Sequence, residues 1–200
     1  MTLLEHDRIV INQKAKLIEL TNEYLIRDTA GNEIGVIRQE GQSTLKKLAR
    51  FVSSVDQFMT HKLAVYDATG TKVLEVVRPR KFVKSTVEVY DGMGQLAGTI
   101  RQQNVFGKIR FGLHDAAGAK IGEIRAENWR AWNFAIVDQL EAEVGRITKT
   151  WEGLAKTMFT TADNYLLDVS PMLGGPLRLL TFASAVGVDT ALKQDSRGLG

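Results

Sequence analysis

The chain has 200 residues, 44% apolar and 24% charged, a balance that excludes disorder and suits one packed domain over residues 1–200. Its 26 Lys and Arg against 23 Asp and Glu leave only +3, so attraction to nucleic acid or membrane by net charge alone is excluded and any such role needs segregated charge. The absence of cysteine removes a disulfide framework, a thiolate metal site and a cysteine nucleophile.

The opening MTLLEHDRIVINQK has acidic residues where a signal peptide needs a basic start and an apolar run, so a cytoplasmic address is expected. Strands are predicted from about residue 8 to about 170. Within them one unit recurs, centred on the turns DTAG at Asp28, DATG at Asp67, DGMG at Asp91, DAAG at Asp115 and DQLE at Asp138, the last four spaced by 24, 24 and 23 residues. Asp bonds nearby backbone and Gly tolerates positive φ, so each unit reads as strand, tight turn, strand.

Before each turn, alternate apolar residues share one face: Tyr24 and Ile26, Leu63 and Val65, Val87 and Val89, Phe111 and Leu113, Phe134 and Ile136. After each turn the matching inward positions are Gly35 and Ile37, Leu74 and Val76, Gly98 and Ile100, Gly122 and Ile124, Gly145 and Ile147. A repeated inward glycine marks a bend that closes a barrel or the close approach of another backbone.

The segment STLKKLARFVSS, with Ser43 as a helix cap, puts Leu45, Leu48 and Val52 opposite Lys46, Lys47 and Arg50. It reads as a lid on the barrel or a short basic helix lying on a membrane. The last predicted element is a helix over about 176–193, opened by Pro176 and apolar all round. Its uncharged run LLTFASAVGV is too short to cross a ~30 Å hydrocarbon core, so burial inside the barrel is expected. Ala183, Ser184, Ala185 and Gly187 make it thin enough to pass the inward glycines.

Segments INQKAKLIELTNEYLIRDTAGNEIG and KTWEGLAKTMFTTADNYLLDVSP, with Trp151-Glu152-Gly153 and Ala162-Asp163-Asn164-Tyr165 as their most specific parts, resemble the phospholipid scramblase family, related to the LURP-one and Tubby proteins. The resemblance covers about Ile9 to Lys193. It implies a Tubby-like closed antiparallel barrel of about twelve strands around a buried C-terminal helix, and a lipid-associated function. Members proposed to bind calcium carry an acidic stretch where this chain has only Asp163, Asn164 and Asp168. Without the central glycine and terminal Glu of a calcium loop, no metal site is expected.

No nucleophile elbow, HExxH, Walker A loop or Rossmann fingerprint occurs, so no catalytic residue or cofactor is assigned and a non-enzymatic protein is expected. The three histidines are His6, His61 and His114, and His114, at a turn edge, reads as solvated.

All five Asp-led turns fall at one end of such a barrel and the connections between units at the other. The connections carry Lys46, Lys47, Arg50, Arg78, Arg80, Lys81, Lys84, Lys108, Arg130, Lys149 and Lys156, together with Phe82, Phe106, Trp129, Trp132 and Trp151. Basic residues beside Trp and Phe suit the headgroup region of an anionic membrane. Candidate lipid-binding residues are therefore Arg78, Arg80, Lys81, Phe82, Lys84, Phe106, Lys108, Trp129, Arg130 and Trp132, on a protein peripheral at the inner membrane face. In the plainer reading the aromatics plug the barrel end, the cations are solvated, and the domain is a structural or protein-interaction barrel with no lipid role. Stacking on single-stranded nucleic acid is the weakest use of the same residues.

Overall fold

The computed structural model describes residues 2–13, 23–40, 61–79, 86–104, 107–127, 133–149 and 164–195. Their backbone forms twelve antiparallel strands: β1 (Arg8–Gln13), β2 (Glu23–Arg27), β3 (Glu33–Glu40), β4 (His61–Asp67), β5 (Lys72–Arg78), β6 (Thr86–Asp91), β7 (Leu96–Gln102), β8 (Arg110–Asp115), β9 (Lys120–Ala126), β10 (Asn133–Asp138), β11 (Glu143–Lys149) and β12 (Asn164–Val169). Every strand pairs with its sequence neighbours and β1 pairs with β12, from Arg8 opposite Asp168 to Asn12 opposite Asn164, which closes the barrel. Closure removes the exposed edges through which an open sheet aggregates.

The predicted turns form as their chemistry requires. Asp28 Oδ1 accepts the backbone N–H groups of Ala30 and Asn32, both at 2.9 Å, while Gly31 donates to the Asp28 carbonyl at 3.1 Å. Asp67 and Asp91 repeat this with Thr69 and Thr71, and with Met93 and Gln95. The fourth turn residue is left-handed in Gly31, Gly70, Gly94 and Gly118, and each turn adds a one-residue bulge to its hairpin. In the fifth turn the same backbone is taken by Glu141, at φ 64. Its carboxylate receives a two-pronged ion pair from Arg125, which compensates a conformation that disfavours any residue with a Cβ.

The predicted register is the observed one. Leu63 faces Val76, Val87 faces Ile100, Phe111 faces Ile124 and Phe134 faces Ile147, all buried. Both readings of the inward glycines hold together. A Cβ on Gly35 would lie 2.6 Å from the Tyr66 carbonyl oxygen, and one on Gly122 would lie 2.7 Å from that of Val137. Tyr66 and Val137 sit at the bulges of the adjoining hairpins, so the glycines make room for carbonyls that the bulges turn inward. The same glycines also admit the helix.

That helix, α1 (Gly175–Asp195), runs within the barrel against β5 to β8 and β12. Leu180 to Gly187 are buried without a break, more than two turns, so the helix is enclosed on all sides there. Leu180 reaches Gly98, Leu177 reaches Gly122 and Thr181 presents its methyl to Gly145, each near 3 Å from where a Cβ would stand. Ser184 is reconciled with the core by donating to the Leu180 carbonyl at 2.7 Å. Among the described residues, no helix is long and apolar enough to cross a membrane.

Candidate functional site

The barrel has two unlike ends because hairpin turns and between-unit connections alternate along the chain. The turn end holds Asp28, Asp67, Asp91, Asp115 and Asp138. Hydrogen bonding, first from the Asn32 side chain in one turn and the Thr69 side chain in another, holds the Asp28 and Asp67 carboxyls below their ordinary values. Both are thus firmly anionic.

β12 delivers the chain to this end, where Ser170 to Gly174 turn it into the barrel. Arg178, on the first turns of α1, fixes that entry. Its guanidinium donates to the carbonyls of Leu4 at 2.6 Å, Ser170 at 3.0 Å, Leu173 at 3.1 Å and His6 at 3.1 Å, and to Asp7 Oδ1 at 3.0 Å. One planar fork therefore ties the N-terminal segment, the β12 exit and the helix together. Arg178 marks the edge of the uncharged run in the sequence, but nothing there announces that three of its partners, Leu4, His6 and Asp7, lie 171 to 174 residues away.

At the opposite end the described residues place two of the ten candidate lipid-binding side chains. Lys108 is exposed in the connection between β7 and β8. Asn104 braces that connection, donating to the Lys108 carbonyl and accepting from the Arg110 N–H, both at 2.8 Å, and Gly107 supplies its positive φ of 89. Arg78 closes β5 opposite His61 and is 6% exposed, so its guanidinium is packed into the barrel end and not presented to solvent. Arg80, Lys81, Phe82, Lys84, Phe106, Trp129, Arg130 and Trp132 lie outside the described residues, as does the Ser43 to Ser54 segment. Lys149, at the same end, stands 5.8 Å above the Tyr165 ring.

On the barrel wall between the ends, Glu123 is buried under Lys120, Arg125 and Arg110. Burial works against its ionisation, and the bonds from Lys120 and Arg125 outweigh that, leaving the carboxyl below its ordinary value. His114 departs from expectation: it is half-buried on the outer face opposite Thr99, and among the described residues its Nδ1 has no hydrogen-bond partner. Burial, then the nearby Arg101, pushes its imidazole below the ordinary histidine value. Tight packing against Gly112, where a Cβ would come within 2.8 Å of the ring, explains why a turn-edge histidine is not solvated.

Among the described residues no three His, Asp or Glu side chains gather as a metal site would need. Asp168, one of the three oxygens considered for calcium, is ion-paired to Arg8, while Asp163 lies outside the described residues.

A closed antiparallel barrel threaded by its own C-terminal helix, with an acidic turn end and lysine and arginine in the opposite connections, defines a Tubby-like barrel protein. The family model described as Scramblase matches residues 1–192, so the chain belongs to the scramblase family. A solved crystal structure of a protein from Arabidopsis thaliana has the same fold, with a TM-score of 0.52 at 13% identity over 94% of this chain and 91% of that one. No curated protein matches the sequence.

Proposed function

We propose that this protein is a non-enzymatic, lipid-associated binding module that docks on anionic membrane through the connection end of its barrel. The observation that carries the reading is the charge polarity of a scramblase-family barrel: five aspartates rim one end, while Arg80, Lys81, Lys84, Lys108 and Arg130 occur in the connections of the other. Phe82, Phe106, Trp129 and Trp132 interleave with those cations in the sequence, as an interfacial surface requires. Arg78 contributes by packing the barrel end beneath that surface. In this orientation the aspartates point away from anionic headgroups.

Each lysine or arginine held near an anionic surface contributes about 1 kcal/mol, so a handful gives reversible, salt-dependent adhesion without insertion. Co-sedimentation with phosphatidylcholine vesicles, with and without phosphatidylserine, tests the reading. Binding is expected only with the anionic lipid and is expected to fall as salt rises. Equal binding to both vesicle types, or to neither, would rule it out.

A further inference from the structure

The turn end carries a second surface that the membrane reading does not use. Between the fourth and fifth hairpin turns and the start of α1 lies an open hollow of about 430 Å³, floored by Ile121, Pro176 and Leu177, edged by Leu140, and walled by Asp115 and Asp138. Leu140 is 86% exposed, and Met172, in the neighbouring chain entry to α1, is 92% exposed. Leu140 is also held in place. Its turn is pinned to the adjoining hairpin by the Arg125 pair with Glu141 and by Gln139 Nε2 donating to the Lys120 carbonyl. An apolar side chain fixed outward on a braced turn, beside an apolar hollow with two carboxylates, fits a partner segment with apolar residues on one face and cations on the other.

The chain itself contains such a segment. STLKKLARFVSS, Ser43 to Ser54, offers Leu45, Leu48 and Val52 with Lys46, Lys47 and Arg50. It joins β3 to β4, which stand six strands around the barrel from β9 and β10, diametrically across and at the opposite end from the hollow. The described strand ends that flank it, Glu40 and His61, therefore lie across the barrel and at the far end from the hollow of the same molecule, which favours the hollow of a neighbour. We infer that the hollow receives the Ser43 to Ser54 segment of a second copy of this chain. The contact is head to tail, joins unlike surfaces and leaves one of each free, so it propagates into short open chains of molecules and does not close as a dimer.

The test uses the full chain and a fluorescein-labelled peptide of sequence STLKKLARFVSS. Saturable peptide binding is expected, weakened by salt and reduced about tenfold or more by Leu140→Lys, which removes the anchor and adds a repelling charge. Met172→Lys is expected to act in the same direction. Met93→Lys, equally exposed on another turn, is expected to leave binding unchanged. In sedimentation velocity the average mass is expected to rise with protein concentration, and both Leu140→Lys and excess free peptide are expected to suppress the rise. Peptide binding indifferent to Leu140→Lys in a variant with an unchanged thermal melt overturns the proposal. So does a chain that stays monomeric at every concentration, even if the peptide binds.

Discussion

The carbonyl oxygen of Val137 stands 2.7 Å from where a Cβ on Gly122 would begin, and on the other side Leu177 of the central helix is within 3.0 Å of the same point. The glycine is thus caught between a bulged hairpin and the helix. Gly122→Ala is expected to destabilise the fold by about 1–3 kcal/mol, and Gly122→Val or Gly98→Val by more, because neither backbone nor helix can yield without opening the barrel. Gly174, with nothing within 4 Å, is the matched control: Gly174→Ala is expected to melt with the parent. Thermal melts of the four variants decide it.

Removing the Arg178 fork is expected to be among the costliest single changes. Arg178→Met leaves the carbonyls of Leu4, His6, Ser170 and Leu173 without that donor, at a cost on the order of 3 kcal/mol. Arg178→Lys is expected to recover little, since a point ammonium cannot serve partners spread around a plane. Chemical denaturation reads both, and full recovery by lysine would show that charge alone suffices.

His114 makes stability depend on pH. Its imidazole is held below the ordinary value by burial, then by Arg101 and more weakly by Lys120, with a backbone hydrogen bond at Gly112 and, more weakly, Asp115 acting in the opposite direction. The unfolded chain titrates at about 6.5. Above that value both states are neutral and the contribution is complete. As pH falls through the unfolded and then the folded value, the unfolded chain takes up the proton first and stability is lost. Lowering pH from 7.5 to 5.0 is therefore expected to depress the Tm of the parent more than that of His114→Gln. Equal depression would assign the loss to other groups.

For the membrane surface, Arg80→Glu with Lys81→Glu moves each of two sites from +1 to −1. At about 1 kcal/mol per charge near the headgroups, binding to phosphatidylserine vesicles is expected to fall well beyond tenfold with the Tm unchanged. Phe82→Ala is expected to add a smaller loss that persists in high salt. The turn end supplies the control in Gln95→Glu, on an exposed turn. Lys72 would be a poor choice there, because it is held between Glu40 and Glu75 and a carboxylate in its place would disturb the fold itself. Co-sedimentation that weakens equally at both ends would mean charge attraction without a docking surface.

The repeating unit was legible because its information is local. Asp at the head and glycine at the left-handed position of four turns are demanded by backbone geometry within five residues, and alternation carries the inward face directly. The helix was legible for a related reason, since an element without a polar face has to be enclosed. The pairing of β1 with β12 was reached through family resemblance alone, and the Arg178 clamp not at all, because both depend on contacts across most of the chain. Glu141 offered a visible signal, a Glu where four sister turns have glycine, but its meaning required Arg125 to be placed beside it. Arg78 shows the limit of reading a surface from composition: a basic residue in a basic connection reads as exposed, yet its burial is decided by where β5 ends.

The order in which the molecule can be built follows from the threaded helix. Arg8 meets Asp168 across 160 positions, and the residues that fill the barrel come later still. During synthesis at roughly 5–20 residues per second, the early hairpins exist for seconds or more with their apolar inner face unfilled. Such long-range closure is slow, and the unfilled interval is when strands are prone to pair with the wrong neighbours. The barrel can therefore close on a complete core only after α1 has emerged. Substitutions that thicken α1 at the fully buried Ala183 would act first on the yield of folded protein and only second on the stability of molecules that succeed in folding.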